Sequence, residues 1–341
     1  MFSDLQDFAQ KLANLPAADI QAREAALARQ AQLTKPPGSL GRLEELAVFL
    51  AGWSSDGRPR AEKAKTVIFA GNHGVTAQGV SPYPPEVTAQ MVGNFQNGGA
   101  AINAITSSVG ASLDVVQLDL DRPTGDISTG PALTESELLQ ALNRGVDAVG
   151  SDIDLLAVGE MGIGNTTIAA ALSASCFGGS GRDWAGPGTG LDDQGINQKA
   201  QVIERALELH KGAPDAATRL ALLGGRELAA IAGAVVAARH QRLPVILDGY
   251  VASAAVAPIF VDNPDVVAHC VAGHASAEPA HTKLLGKLNL TPLLDLGMRL
   301  GEGTGATLAV SILRAAAAAH NNMATFEEAS VANRPAGDSN D

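Results

Sequence analysis

The stretch Leu300-Gly301-Glu302-Gly303-Thr304-Gly305-Ala306 holds the residue type and setting best suited to proton transfer. Glycines on both sides leave Glu302 free of neighbouring side-chain bulk, so its carboxylate can face a ligand. Apolar surroundings would raise its pKa towards the range of a general base. The same glutamate heads the apolar run TLAVSILRAAAAAH, where it also suits the positive end of a helix dipole. Spacing alone leaves both roles open.

Other glycine-rich stretches suit an anion. Gly159-Glu160-Met161-Gly162-Ile163-Gly164-Asn165-Thr166-Thr167 precedes the helical run IAAALSAS. Asn165 or Thr166 is placed to cap that helix, whose unpaired N–H groups and dipole favour a phosphate. Gly162 and Gly164 permit close backbone approach to it. The spacing is neither G-x-G-x-x-G nor a Walker A loop, so a ligand-free strand-to-helix turn stays an alternative. Gly186-Pro-Gly188-Thr189-Gly190 is a further flexible loop, and Lys199 lies nine residues beyond it. A lone lysine on a helix is usually solvated, so its position alone argues little.

Asp248 ends the run PVILD, where an acid either points into a crevice or caps the helix beginning near Val251. Ser276, in Gly273-His274-Ala275-Ser276, can donate to a phosphate or cap the helix that starts near Glu278. His73 and His274 bring a metal to mind, yet no H-x-E, H-E-x-x-H or Cys-x-x-Cys pattern accompanies them. A site with no metal and no cofactor is expected.

These loops need strands behind them. TVIFA (66–70), LDVVQLDL (113–120), DLLAVG (154–159), PVILDG (244–249) and VVAHCVAG (266–273) are short apolar runs separated by helical stretches. Each ends in a loop rich in Gly, Asn, Ser or Thr. Continuous apolar strands suit a parallel sheet covered on both faces, an α/β doubly wound architecture with ligands at the strands' carboxyl ends. Before them, Phe2, Leu5, Phe8, Leu12 and Leu15 recur at helical spacing, with Ser3 and Gln6 as a capping box. A second helix is expected over 18–33, then a break at Lys35-Pro-Pro-Gly-Ser-Leu-Gly41, then a helix through Leu43, Leu46, Phe49 and Leu50. After Arg314 the chain returns to Ala-rich helix and ends in a frayed polar tail, PAGDSND. The expected division is a small helical domain from 1–60 with 314–341, and a large α/β catalytic domain over 61–313.

Composition narrows the partners. With 46% hydrophobic residues a sizeable core can form, while 4% aromatics argue against stacking on single strands. A net charge of −12 disfavours nucleic acid and anionic membranes alike. Cys176 and Cys270 sit in apolar runs and read as buried thiols. Asp4 and Asp7 stand where a signal peptide carries positive charge, and no apolar run reaches the roughly 18 residues of a membrane span. A cytoplasmic protein is expected.

Seven stretches occur together in one order: KPPGSLGRLEELA, GNHGV with SPYPPEVTAQMV, GEMGIGNTT, GPGTG, ILDGYVASAA, GHASAEPAH and RLGEGTGA. From Lys35 to Ala306 the chain thereby resembles the nicotinate-nucleotide:dimethylbenzimidazole phosphoribosyltransferases, which make the lower-ligand riboside of cobalamin. Asn72 stands where some members carry Asp. The resemblance implies nicotinate mononucleotide and 5,6-dimethylbenzimidazole as substrates, and α-ribazole 5′-phosphate and nicotinate as products. It implies Glu302 as general base, with Glu160, Lys199 and Ser276 lining the nucleotide site. Gly162, Gly164, Gly188, Thr189, Gly190, Asp248, Ser81 and Gln90 join the expected substrate-binding set. It further implies a Rossmann-like large domain, a small helical domain and a homodimer.

The implied chemistry is coherent. Nicotinate leaves C1′ as a pyridinium nitrogen and needs no general acid. The benzimidazole attacks through one ring nitrogen while its other N–H becomes acidic, and a carboxylate within reach can take that proton. One displacement inverts the β-riboside to the α-riboside without a nucleophilic side chain, and positioning supplies much of the rate. The planar base is expected in an aliphatic pocket around Met161, Leu300 and residues after Ser81. From the residues alone, a non-catalytic binder and a hydrolase that uses water as acceptor also stay open.

Overall fold

A computed structural model describes residues 1–54 and 56–333. The polar tail PAGDSND lies outside the described residues. Three helices come first: α1 (Leu5–Ala13), α2 (Ile20–Gln30) and α3 (Arg42–Trp53). Then follow β1 (Ala64–Ala70), α4 (Glu86–Gln96), α5 (Ala101–Val109), β2 (Ser112–Gln117), α6 (Glu135–Val149) and β3 (Leu155–Met161). Helices α7 (Asn165–Phe177), α8 (Gly181–Trp184), α9 (Asp193–Leu209), α10 (Ala216–Leu223) and α11 (Arg226–His240) separate β3 from β4 (Val245–Leu247). The rest comprises α12 (Tyr250–Asp262), β5 (Cys270–His274), α13 (Pro279–Lys287), β6 (Pro292–Leu294) and the long α14 (Thr304–Asn322).

All strand pairs are parallel, in the order β2-β1-β3-β4-β5-β6. Period-2 alternation sends Val67, Phe69, Leu156, Val158, Val245 and Leu247 to one face, where they join the apolar sides of α6, α7, α11 and α12. Leu155, Ala157, Ile246 and Val271 face the other way, onto α3 and α14. Ile68 and Ala70 also point to that side, against α4 and α5. The sheet is therefore covered on both faces, which is why its strands read as unbroken apolar runs.

Several boundaries differ from the sequence reading. The second strand stops at Gln117, three residues short of the expected end. Val266 and Val267 lie in a 3₁₀ turn, and the fifth strand begins only at Cys270. β6 had no counterpart, since three half-buried residues are too few to show a period. At the amino terminus the expected Ser3–Gln6 capping box is replaced by Asp4, whose carboxylate accepts from the Asp7 N–H at 2.7 Å. A carboxylate binds that N–H and also answers the helix dipole, so it outcompetes the hydroxyl one residue earlier. Both cysteines are free, and burial pushes the Cys176 thiol up to about 12.

Helices α2 and α3 meet the end of α14 beside the sheet. α2 and α3 pack through Ala26, Val48 and Ala51, and the Arg29 guanidinium donates to the carbonyls of His320 and Met323. α1 turns the other way. Its Phe8 and Leu12 enter the main core, and Asn263 Nδ2 donates to the Leu12 carbonyl at 2.8 Å. We propose on these contacts that the small helical unit is α2, α3 and the segment after α14, with α1 part of the α/β body.

Candidate active site

In a sheet of this order the strand sequence reverses between β1 and β3, and ligands collect in the crevice outside the carboxyl ends there. A cleft opens at the ends of β3, β4 and β5. Of the expected substrate-binding residues, Glu160, Gly162, Gly188, Thr189 and Ser276 line it. Met161 and Leu300, expected around the aromatic base, line it too.

The remaining expected residues sit elsewhere. Gly164 caps α7 from behind the wall, with φ +90°, and Gly190 is exposed in the neighbouring loop. Ser81 lies in the segment before α4, where its Oγ accepts from the Tyr83 N–H at 3.2 Å, and Gln90 is exposed on α4. That helix still abuts the site, because Thr88 Oγ1 accepts from the Ile163 N–H at 3.1 Å.

Glu302 follows the wall residue Gly301 directly and is 6% exposed. Its φ of +62° lies in the left-handed region, which costs a non-glycine residue about 1–2 kcal/mol. Two anchors hold it there. Asp248 Oδ2 accepts from the Gly303 N–H at 3.1 Å, and its Oδ1 accepts from the Ala306 N–H at 2.9 Å. Thr304 Oγ1 also donates back to the Gly301 carbonyl at 2.7 Å. Asp248 thus caps α14, neither pointing free into the crevice nor capping the helix after it, which begins from Gly249 with no side-chain cap. The carboxylate that satisfies the start of α14 comes from β4's end, so Glu302 is not needed for it.

Burial raises the Glu302 carboxyl to about 7, and the Asp248 charge adds to the shift. Glu160 rises to about 8, through burial first and then the charges of Asp248 and Glu227. The Glu160 carboxylate accepts from the Asn165 side-chain amide and lies against Gly301. Asn165 is therefore not the cap of α7, nor is Thr166. Gly164 is the N-cap and provides no side chain, which leaves the helix end to its surroundings.

Those surroundings include Lys199. Its position on a helix argued little for a site role, which only the resemblance gave it, but it is 1% exposed. Its Nζ donates to Thr166 Oγ1 at 2.8 Å and to the Gly186 carbonyl at 3.2 Å, tying α9 to the start of α7 and to the 186–190 loop. Burial brings its pKa down to about 8, opposed by the Glu278 carboxylate. Glu278, which sequence reading passed over, braces the same loop by accepting from the Gly188 N–H at 3.2 Å. Ser276 Oγ accepts from the Glu278 N–H at 3.3 Å. The Ser276 N–H donates to His281 Nδ1 at 2.9 Å, which leaves His281 Nε2–H to donate to Ser253 Oγ at 3.0 Å.

A second buried pair underlies the β1–β3 reversal. His73 Nε2 and Glu227 Oε1 are 2.6 Å apart and both side chains are wholly enclosed. His73 is thus committed to a carboxylate from α11. Among the described residues no group of three or more His, Cys, Asp or Glu is arranged to hold a metal ion.

The arrangement brings together the start of α7, two carboxyls of near-neutral pKa and, behind the cleft wall, the Lys199 ammonium. Such a cleft can fix a phosphorylated ligand and take a proton from its reaction partner. It also has a stability signature. The folded Glu160 holds its proton more tightly than an unfolded glutamate of pKa 4.5, so its contribution is complete below pH 4.5 and declines as pH rises through about 8. Thermal denaturation should therefore show Glu160→Gln gaining on the parent protein between pH 5 and pH 8. A constant Tm difference over that range would contradict the raised pKa.

The family model described as "Phosphoribosyltransferase" (DBI_PRT) matches residues 15–331. The nicotinate-nucleotide–dimethylbenzimidazole phosphoribosyltransferase of Novosphingobium aromaticivorans is 56% identical over 332 residues, 97% of this chain and 98% of that protein. The protein of the same name from Ruegeria pomeroyi is 54% identical over 329 residues, 96% of this chain and 98% of the relative. Among solved structures, CobT from Thermus thermophilus superposes with a TM-score of 0.88 at 40% identity, covering 92% of this chain and all of that one.

Proposed function

Since this chain belongs to the nicotinate-nucleotide–dimethylbenzimidazole phosphoribosyltransferase family, we propose that it moves the phosphoribosyl group of nicotinate mononucleotide onto 5,6-dimethylbenzimidazole. The products are α-ribazole 5′-phosphate and nicotinate, the former for the cobalamin lower ligand. In this reading one displacement inverts C1′, and Glu302 removes the proton released from the incoming base.

The observation that carries the mechanism is the setting of Glu302. It is a carboxyl raised to about 7, freed from helix capping by Asp248 and held beside the cleft in a strained backbone conformation. A base of that pKa is half ionised near neutrality, where proton abstraction combines availability with driving force. The phosphate is assigned to the start of α7, with Lys199 and the 186–190 loop around it. The aromatic base is assigned to the side bearing Met161 and Leu300.

The direct test incubates the purified protein with nicotinate mononucleotide and dimethylbenzimidazole and separates the products by chromatography. Nicotinate release at the protein-free rate would overturn the proposal, and release that ignores dimethylbenzimidazole would redirect it to hydrolysis. Lys199→Met should raise the KM for the nucleotide by roughly 10- to 100-fold, as expected for losing a charge-assisted hydrogen bond, while the KM for the base stays put. Steady-state kinetics with each substrate varied in turn makes the comparison. A homodimer and a cytoplasmic location belong to the same reading, and sedimentation and cell fractionation test them. Among the described residues no helix is long and apolar enough to cross a membrane.

A further inference from the structure

His274 ends β5 in the wall of the cleft, and it is 1% exposed. Among the described residues neither ring nitrogen has a hydrogen-bond partner. Asp248 Oδ1 lies 3.7 Å from Nε2, too far for a hydrogen bond. Asp248 is in any case engaged, since its two oxygens accept from the start of α14. The ring of His281 stands edge-on to His274 with centroids 6.2 Å apart, and both nitrogens of His281 are already used. A buried imidazole with nothing on either nitrogen costs about 1–3 kcal/mol for each unsatisfied group, so such a group calls for a partner from outside the protein.

Geometry says where that partner approaches. Gly249 lines the cleft, and a Cβ on it would sit 3.3 Å from His274 Nε2. The ring nitrogens are themselves buried, and glycine at that position leaves no side chain of residue 249 between Nε2 and the cleft. Chemistry says what the partner is. A phosphate or carboxylate only accepts, and it would have to lie close to the Asp248 carboxyl, where two anions repel. Arg299 lines the cleft as a cation for anionic groups, and Lys199 lies behind its wall on Thr166. An alcohol both donates and accepts, as a neutral imidazole does, and it adds no charge beside Asp248.

We infer that His274 is a substrate-contacting residue whose ring nitrogen hydrogen-bonds a ribosyl hydroxyl of the bound nucleotide. This rests on the reading of the cleft as a nucleotide site, but it assigns the sugar a recognition residue of its own. The contact makes the site selective for ribonucleotides over deoxyribonucleotides, because a missing hydroxyl leaves the buried imidazole unpaired.

Calorimetric binding tests it without requiring turnover. Nicotinate mononucleotide and its 2′-deoxy and 3′-deoxy analogues are titrated into the wild-type protein, His274→Phe and His274→Asn. His274→Phe should weaken binding of the ribonucleotide by roughly 10- to 100-fold. It should weaken binding of one deoxy analogue less than threefold, since that analogue lacks the contacted hydroxyl. His274→Asn, smaller and still polar, should fall between, and it carries the same comparison if the phenylalanine variant does not fold. Equal loss for all three nucleotides marks a structural role and overturns the inference. So does unchanged ribonucleotide binding in a folded variant. Wild-type protein that binds the nucleotide but transfers nothing removes the transferase reading alone, whereas failure to bind it removes both.

Discussion

Glu302→Gln is expected to fold as the parent protein does, bind nicotinate mononucleotide with near-parental affinity and lose turnover by roughly 10²- to 10⁴-fold. The size is that of positioned general-base catalysis, and the amide is nearly isosteric with the carboxyl it replaces. Folding should survive because the start of α14 is satisfied by Asp248, whose hydrogen bonds to Gly303 and Ala306 do not involve Glu302. The pH dependence is fixed by the same residue. Glu302 must be ionised to accept a proton, and burial followed by the Asp248 charge places its carboxyl at about 7. Wild-type kcat should therefore fall about tenfold for each pH unit below that value, and the residual activity of the variant should lack this limb. Pre-steady-state rates between pH 5 and pH 9 make the comparison. Parental turnover in Glu302→Gln, or an acid limb that persists in it, would remove Glu302 from the mechanism.

How far such a site could be read in advance depends on the range of the interactions that build it. The central strands β1, β3, β4 and β5 were visible because they are buried on both faces and so appear as continuous apolar runs. The loops were visible because their backbones need glycine, and Glu302 stood out against that background. β6 left no trace, since three partly buried residues carry no period. The role of Asp248 was hidden for another reason. It caps a helix 55 residues downstream, and local rules point a capping residue at the helix that follows it. The burial of Lys199, expected in the site only through the resemblance, was hidden in the same way. Nothing in a helical lysine announces that Thr166 and the Gly186 carbonyl will close over it. Glu278 and His274 share this limit, because their meaning lies in which partners tertiary packing supplies or withholds. Glu227 was silent until His73 was seen against it.

Gly159→Ala is the change expected to disturb Glu302 most without touching it. A Cβ on Gly159 would sit 2.2 Å from Gly303 N, 2.4 Å from Gly303 Cα and 2.8 Å from the Glu302 carbonyl carbon. All three are backbone atoms, so no side chain can swing aside. The strand cannot retreat either, because β3 is paired on both edges, with β1 and with β4. The 301–303 turn must move instead, against the two hydrogen bonds that Asp248 accepts from Gly303 and Ala306 and the Thr66–Thr307 contact at 2.8 Å. Removing a glycine from a strand interior ordinarily stabilises by roughly 0.5–1 kcal/mol. Here overpacking of about 1–3 kcal/mol opposes it, so a net loss of stability is expected. The kinetic effect should be larger than the thermodynamic one, because displacing a catalytic group by about 1 Å costs roughly 10²-fold in rate. Gly93→Ala is the control. Gly93 lies within α4, and a Cβ there meets nothing within 4 Å, so that variant should keep parental turnover and melt at or slightly above the parental temperature. Paired measurements of kcat and Tm separate the cases. If Gly159→Ala turned over and melted like Gly93→Ala, the turn would have room to give, and close approach to β3 could not be what holds Glu302 in place.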